Sequence, residues 1–136
     1  MVQIIYGKKG SGKTKRLIAM ANEDGASSKG SVVFVDKNKD YMMDVKRPVR
    51  FVLATEYDIT NDDMLYGFLS GALSQNYDIE SVYVDALVRM TGKNAEELEK
   101  FISLLDKLGR EHNVKFVLNV GGETDEAPEF LKQYII

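Results

Sequence analysis

The chain contains no cysteine. Neither a disulfide framework nor a thiolate-held metal can therefore contribute to its fold or chemistry. A single histidine, His112, argues against a histidine-rich metal centre and reads more simply as a structural residue near a helix end. No apolar run approaches the ~18 residues that a membrane span needs. The N-terminus passes from Met1 directly into an apolar, strand-like run, without the charged-then-apolar layout of a signal peptide. The expectation is a cytoplasmic protein with no membrane association. Proline is scarce, and both copies fall between expected elements: Pro48 in a polar stretch, Pro128 ahead of a short final helix.

What is present is an ordinary globular balance of 44% hydrophobic and 29% charged residues. A length of 136 residues suits one domain, residues 1–136, with a proper core. The net charge of −3 hides a division. Residues 1–50 hold 11 Lys and Arg against 5 Asp and Glu, whereas residues 51–136 hold 7 against 16. The two halves can be solvated faces and nothing more, or the basic half can face a polyanion, either nucleotide phosphates or nucleic acid.

Short β-forming runs alternate with helical patterns. Val2–Tyr6, Ser31–Asp36, Arg50–Thr55, Ser81–Leu87 and Lys115–Gly122 read as strands. A helix is expected from about Lys13 to Asn22, stopped near Gly25. A second follows Thr60 and Asp63, which resemble a capping box, with Met64, Leu65, Phe68, Leu69 and Ala72 as its apolar stripe. The pair Gly67 and Gly71 is expected to let that helix approach the sheet closely. A third helix opens at Asn94 and Glu97, with a stripe of Leu98, Phe101, Ile102, Leu105 and Leu108. This alternation predicts a three-layer α/β/α sandwich with a mostly parallel five-stranded sheet.

Between the first strand and the first helix stands Gly7-Lys8-Lys9-Gly10-Ser11-Gly12-Lys13-Thr14, a full match to G-x-x-x-x-G-K-[ST]. Glycines let the backbone curl so that successive N–H groups line one concavity for phosphate oxygens. The helix that follows aims its positive dipole end at the same point. A lysine at the position of Lys13 reaches the β- and γ-phosphates, and a hydroxyl at Thr14 serves Mg²⁺.

On these residues the chain resembles the P-loop NTPases, with the glycine loop as their Walker A motif. The resemblance implies a Walker B motif, an apolar run ending in an aspartate that supports Mg²⁺. Val82-Tyr83-Val84-Asp85 fits it. Asp36, after Val32–Val35, competes, and the family's usual placement after an intervening strand–helix unit favours Asp85. In the RecA-like branch a further strand separates the two motif strands and carries a polar sensor at its tip. Asn119 stands at that place, and equally at the end of an ordinary strand. The chain also looks like short single-domain bacterial P-loop proteins of unknown role.

Departures from the pattern bear on activity. Hydrolysing members often place a glutamate directly after the Walker B aspartate, where this chain has Ala86. The resemblance allows the carboxylate to come from a neighbouring strand end, which makes Asp36 and Glu56 candidates, Glu56 having the longer reach. No arginine finger can be assigned among Arg47, Arg50 and Arg89. The implied function is Mg²⁺-dependent binding of ATP or another nucleoside triphosphate, with slow hydrolysis or switch-like behaviour. A protein partner or homo-oligomer would complete the site. The alternatives are a small-molecule (nucleoside-type) kinase and a non-hydrolysing regulatory module. Against the kinase, only residues 37–49 and 86–94 could form a second pocket, and both segments are short.

Overall fold

Runs rich in β-branched and aromatic residues make five strands: β1 (Val2–Gly7), β2 (Ser31–Asp36), β3 (Val49–Leu53), β4 (Ile79–Val84) and β5 (Lys115–Gly121). The computed structural model describes all 136 residues. Helices α1 (Lys13–Ser27), α2 (Asp62–Gln75), α3 (Leu87–Thr91) and α4 (Glu99–His112) connect the strands, joined by short 3-10 turns. Every pairing is parallel and the sheet order is β1-β5-β4-β2-β3. All five strands therefore end on one edge, where the loops that follow them converge. The inserted strand expected between the glycine-loop strand and the Asp85 strand is β5. On the outer side of β1, Ile135 bridges Ile4 and the Ile136 N–H donates to the Ile4 carbonyl at 3.0 Å. The tail thus covers an otherwise open strand edge.

Alternation along each strand divides the core between the two faces of the sheet. Leu17, Ile18 and Ala21 of α1 pack on Ile5, Val32, Phe34, Tyr83 and Val117. The opposite face buries a larger cluster of 26 residues beneath α2, α3 and α4. All five stripe residues of the third expected helix are buried there, four on α4 and Leu98 on the 3-10 turn before it, so the expected three-layer sandwich is the observed one.

Several local features differ from expectation, each for a packing reason. Helix α1 runs through Gly25 to Ser27. That glycine is a close-approach residue, because a Cβ on it would lie 2.6 Å from a Val49 methyl. The cap of α2 is Asn61, whose side chain accepts from the Met64 N–H at 2.8 Å, and not Thr60. Gly67 and Gly71 face open space and do not bring α2 to the sheet. Strand β3 stops at Leu53, and Ala54–Tyr57 form a 3-10 turn. Strand β4 stops at Val84 because Ala86 takes a left-handed backbone (φ 57°) that launches α3.

Candidate functional site

Strand β1 hands the chain to the glycine loop, and each glycine has a local reason. Gly10 (φ 84°) and Gly12 (φ 82°) occupy the left-handed region, where a Cβ costs roughly 1–2 kcal/mol. Gly7 is needed for contact: a Cβ there would lie 2.7 Å from the Ser11 hydroxyl. The loop closes on one acceptor. The Ser11 N–H and hydroxyl donate to the Lys8 carbonyl at 3.2 and 2.7 Å, and Lys13 Nζ donates to it at 2.8 Å. The ammonium is thereby stretched across the loop's mouth. Burial pulls the Lys13 pKa down, and the opposing attraction of Asp85 does not restore it.

Helix α1 begins with no side-chain cap and no acidic residue in its first turn. Helix α2 is capped by Asn61, with Asp62 and Asp63 following. The first N–H groups of α1 are thus left to whatever enters the cavity, at the positive end of the helix dipole. That arrangement suits an anion.

Period-two alternation brings three polar side chains to this point. Phe34, Tyr83 and Val117 are buried on the α1 face. Two residues further along each strand's path come Asp36, Asp85 and Asn119, also on that face and all buried. Asp85 is the hub. The Thr14 hydroxyl donates to its carboxylate at 3.1 Å, the Ala86 N–H donates at 2.9 Å, and the Asn119 amide donates to the same carboxylate. Asp36 lies on the neighbouring strand, one residue past Val35, whose register partner is Val84. One of its oxygens accepts the Lys37 N–H at 2.7 Å, and the other, Oδ2, is buried without any partner. Burial, and after it the charge of Asp85, push the Asp36 carboxyl up to about 6.

These groups line a cavity of about 930 Å³. Of the residues named from the sequence, Lys9, Gly10, Gly12, Lys13, Thr14, Asp36, Asp85 and Asn119 line it, while Gly7, Lys8 and Ser11 build the loop behind. Glu56 does not belong to the lining. It sits exposed on the turn after β3, the outermost strand, which ends beside Asp36. Sheet order puts the shorter aspartate in the place for which reach alone favours the longer glutamate. Arg89 reaches the cavity; Arg47 and Arg50 do not.

Asn38, Asp40 and Tyr41, and Ala86 to Arg89 with Asn94, also line the cavity, so the two short segments do reach it. Sequence reasoning does not find Tyr6, Lys15, Ala95, Glu96 and Gly121 to Thr124, which complete the lining. Their only signal is position, toward the edge of the sheet where the parallel strands end. No three His, Asp or Glu side chains are gathered as a self-sufficient metal site. Thr14 and Asp85 instead offer a small set of oxygens, the kind of donor that a hard cation takes together with phosphate oxygens.

No family model matches the chain, and no curated protein matches it. Among solved structures, the fold is similar to that of the flagellar accessory protein FlaH from Methanocaldococcus jannaschii, with a TM-score of 0.53 and 16% identity. The likeness covers 97% of this chain, which spans 65% of the FlaH chain. At that identity the likeness shows a shared α/β fold.

Proposed function

We propose that residues 1–136 form a nucleotide-binding unit that takes Mg²⁺ with ATP or another nucleoside triphosphate. The observation that supports this most is the Thr14 hydroxyl set against the buried Asp85 carboxylate at an uncapped helix start. In this reading the loop N–H groups from Gly10 to Thr14 hold phosphate oxygens, and Lys13 exchanges the Lys8 carbonyl for a phosphate. Thr14 and Asp85 hold the metal, and Asn119 keeps the Asp85 carboxylate turned toward it. Magnesium, when bound, offsets charge on the β- and γ-phosphates.

Ala86 offers no side chain to a water, and Asp36, buried on the strand beside Asp85, is the carboxylate we assign to orient one. Arg89 is the one arginine that lines the cavity, and a partner or a second copy would have to complete the charge stabilisation. Turnover by the isolated chain is expected below about one per minute, since an arginine finger alone is worth about 10³–10⁵ in related GTPases.

Thermal unfolding tests the assignment. Ligand at a hundredfold over its dissociation constant stabilises a fold by about 2.7 kcal/mol, on the order of 10 °C for a domain this size. Lys13→Ala should lose most of that shift and keep the unliganded melting temperature. Asp85→Asn should lose the Mg²⁺-dependent part. A full shift in Lys13→Ala would refute the reading.

A further inference from the structure

We propose that the arm of the cavity beyond Asp85 is a second-substrate site, taking a small hydroxyl compound that carries its own anionic group and receives the γ-phosphoryl group. This rests on the nucleotide reading and goes past it.

Sheet order sets the direction. A nucleotide whose phosphates sit in the loop after β1, with the metal at Thr14 and Asp85, leaves β2 and β3 beyond Asp85. On the β2 side the cavity continues past the reacting end, along Asp36, Asn38, Asp40, Tyr41 and Arg89. Asp36 is 1% exposed, and its Oδ2 has no hydrogen-bond partner in the protein. An acceptor oxygen buried in this way calls for a donor brought by a ligand.

A pocket of about 470 Å³ opens from the same arm, lined by Lys37, Asn38, Lys39, Leu53, Thr55 and Arg89. Three of those six are cations, none is acidic, and Lys37 Nζ donates to the Arg89 carbonyl at 3.3 Å. None of the three is in an ion pair. A water molecule would need Asp36 alone. A buried hydrogen-bond acceptor beside a cluster of unpaired cations fits a hydroxyl and an anion on one molecule.

In the transfer, the acceptor oxygen forms a bond to the γ-phosphorus and the bond from that phosphorus to the β–γ bridging oxygen breaks. The electron pair leaves with the nucleoside diphosphate, and the hydroxyl proton passes to the Asp36 carboxylate. The co-reactant is the nucleoside triphosphate of the proposed function.

The test is label transfer from γ-labelled ATP with Mg²⁺ and the full chain. One arm offers nucleoside and sugar monophosphates, a second offers hydroxycarboxylic acids, and a third offers uncharged nucleosides and sugars. Label is expected in a compound of the first or second arm, which also tells phosphate from carboxylate. Lys39→Ala, outside the nucleotide cavity, should raise the acceptor KM about tenfold to a hundredfold and leave the ATP KM unchanged, and Arg89→Ala should raise the acceptor KM as well. Asp36→Asn should lower kcat by about a hundredfold or more. Label found only as inorganic phosphate with every acceptor, in protein whose melting temperature still rises with Mg·ATP, overturns the proposal. So does transfer confined to the uncharged arm. Loss of the ATP-dependent thermal shift in the unmodified chain would instead remove the nucleotide reading beneath it.

Discussion

Asp36, buried, and Asp24, half-buried, are two carboxylates whose surroundings act in opposite directions. Burial and the neighbouring Asp85 raise Asp36 to about 6, above its unfolded value near 3.9. The folded state then holds a proton that the unfolded state releases. The associated stability is present below about pH 4 and is lost as pH rises toward 6. The loss is on the order of 3 kcal/mol, because each tenfold change in proton affinity corresponds to about 1.4 kcal/mol. Asp36→Asn should therefore melt higher than the unmodified protein at about pH 7.5, and the two should converge near pH 4. Equal melting temperatures at both pH values would contradict the burial argument. At Asp24, burial works upward but the Tyr83 hydroxyl and the Lys115 ammonium, 2.9 Å away, outweigh it and hold the carboxyl below its usual range. Its contribution is present above the unfolded value and lost as pH falls through the lower folded value. Tyr83 is fully buried, so Tyr83→Phe should cost about 1.5–3 kcal/mol through the lost charge-assisted bond. Denaturant unfolding at neutral pH would measure it.

At the scale of elements, the glycines separate what propensity can and cannot do. Glycine in a helix interior costs about 1 kcal/mol relative to alanine. Gly67 and Gly71 are exposed on α2 with nothing near a new Cβ, so alanine at either should stabilise the fold by up to about that amount. Gly25 lies in α1, where a Cβ would meet the buried Val49 at 2.6 Å. Overpacking of that kind costs about 1–3 kcal/mol, which exceeds the propensity gain. Gly25→Ala should therefore destabilise. Chemical melts of the three variants decide it, and a stabilising Gly25→Ala would show that β3 yields easily. The cap of α2 is a separate matter: Asn61→Ala should cost about 1 kcal/mol.

For the whole molecule, the order of the sheet governs the chemistry. Strand β2 lies next to β4, and β3 lies outside it, so Asp36 meets the cavity and Glu56 does not. Under single-turnover conditions, Asp36→Asn should remove most residual phosphate release, and Glu56→Gln should leave it within about twofold, because an exposed residue outside the cavity cannot orient its water. A larger effect at Glu56 would require a rearrangement of the 3-10 turn that carries it. No helix is long and apolar enough to cross a membrane.

Local chemistry is legible from the sequence by itself. The spacing of Gly7, Gly12, Lys13 and Thr14 places the loop, and strand periodicity places Asp85 and Asn119 at strand ends, because alternation and turn chemistry act over a few residues. The capping box at Asn94 and Glu97 and the stripe of α4 are readable for the same reason. Only the tertiary structure decided which strands are neighbours. That order left Asp36 beside Asp85 without a partner for one oxygen, set Glu56 aside, and brought Tyr6, Tyr41 and Glu96 around one cavity. It also showed that Gly25 is a contact residue and that Gly67 and Gly71 are not. Contacts between distant segments depend on how layers pack, and no pattern along a few residues of chain records that.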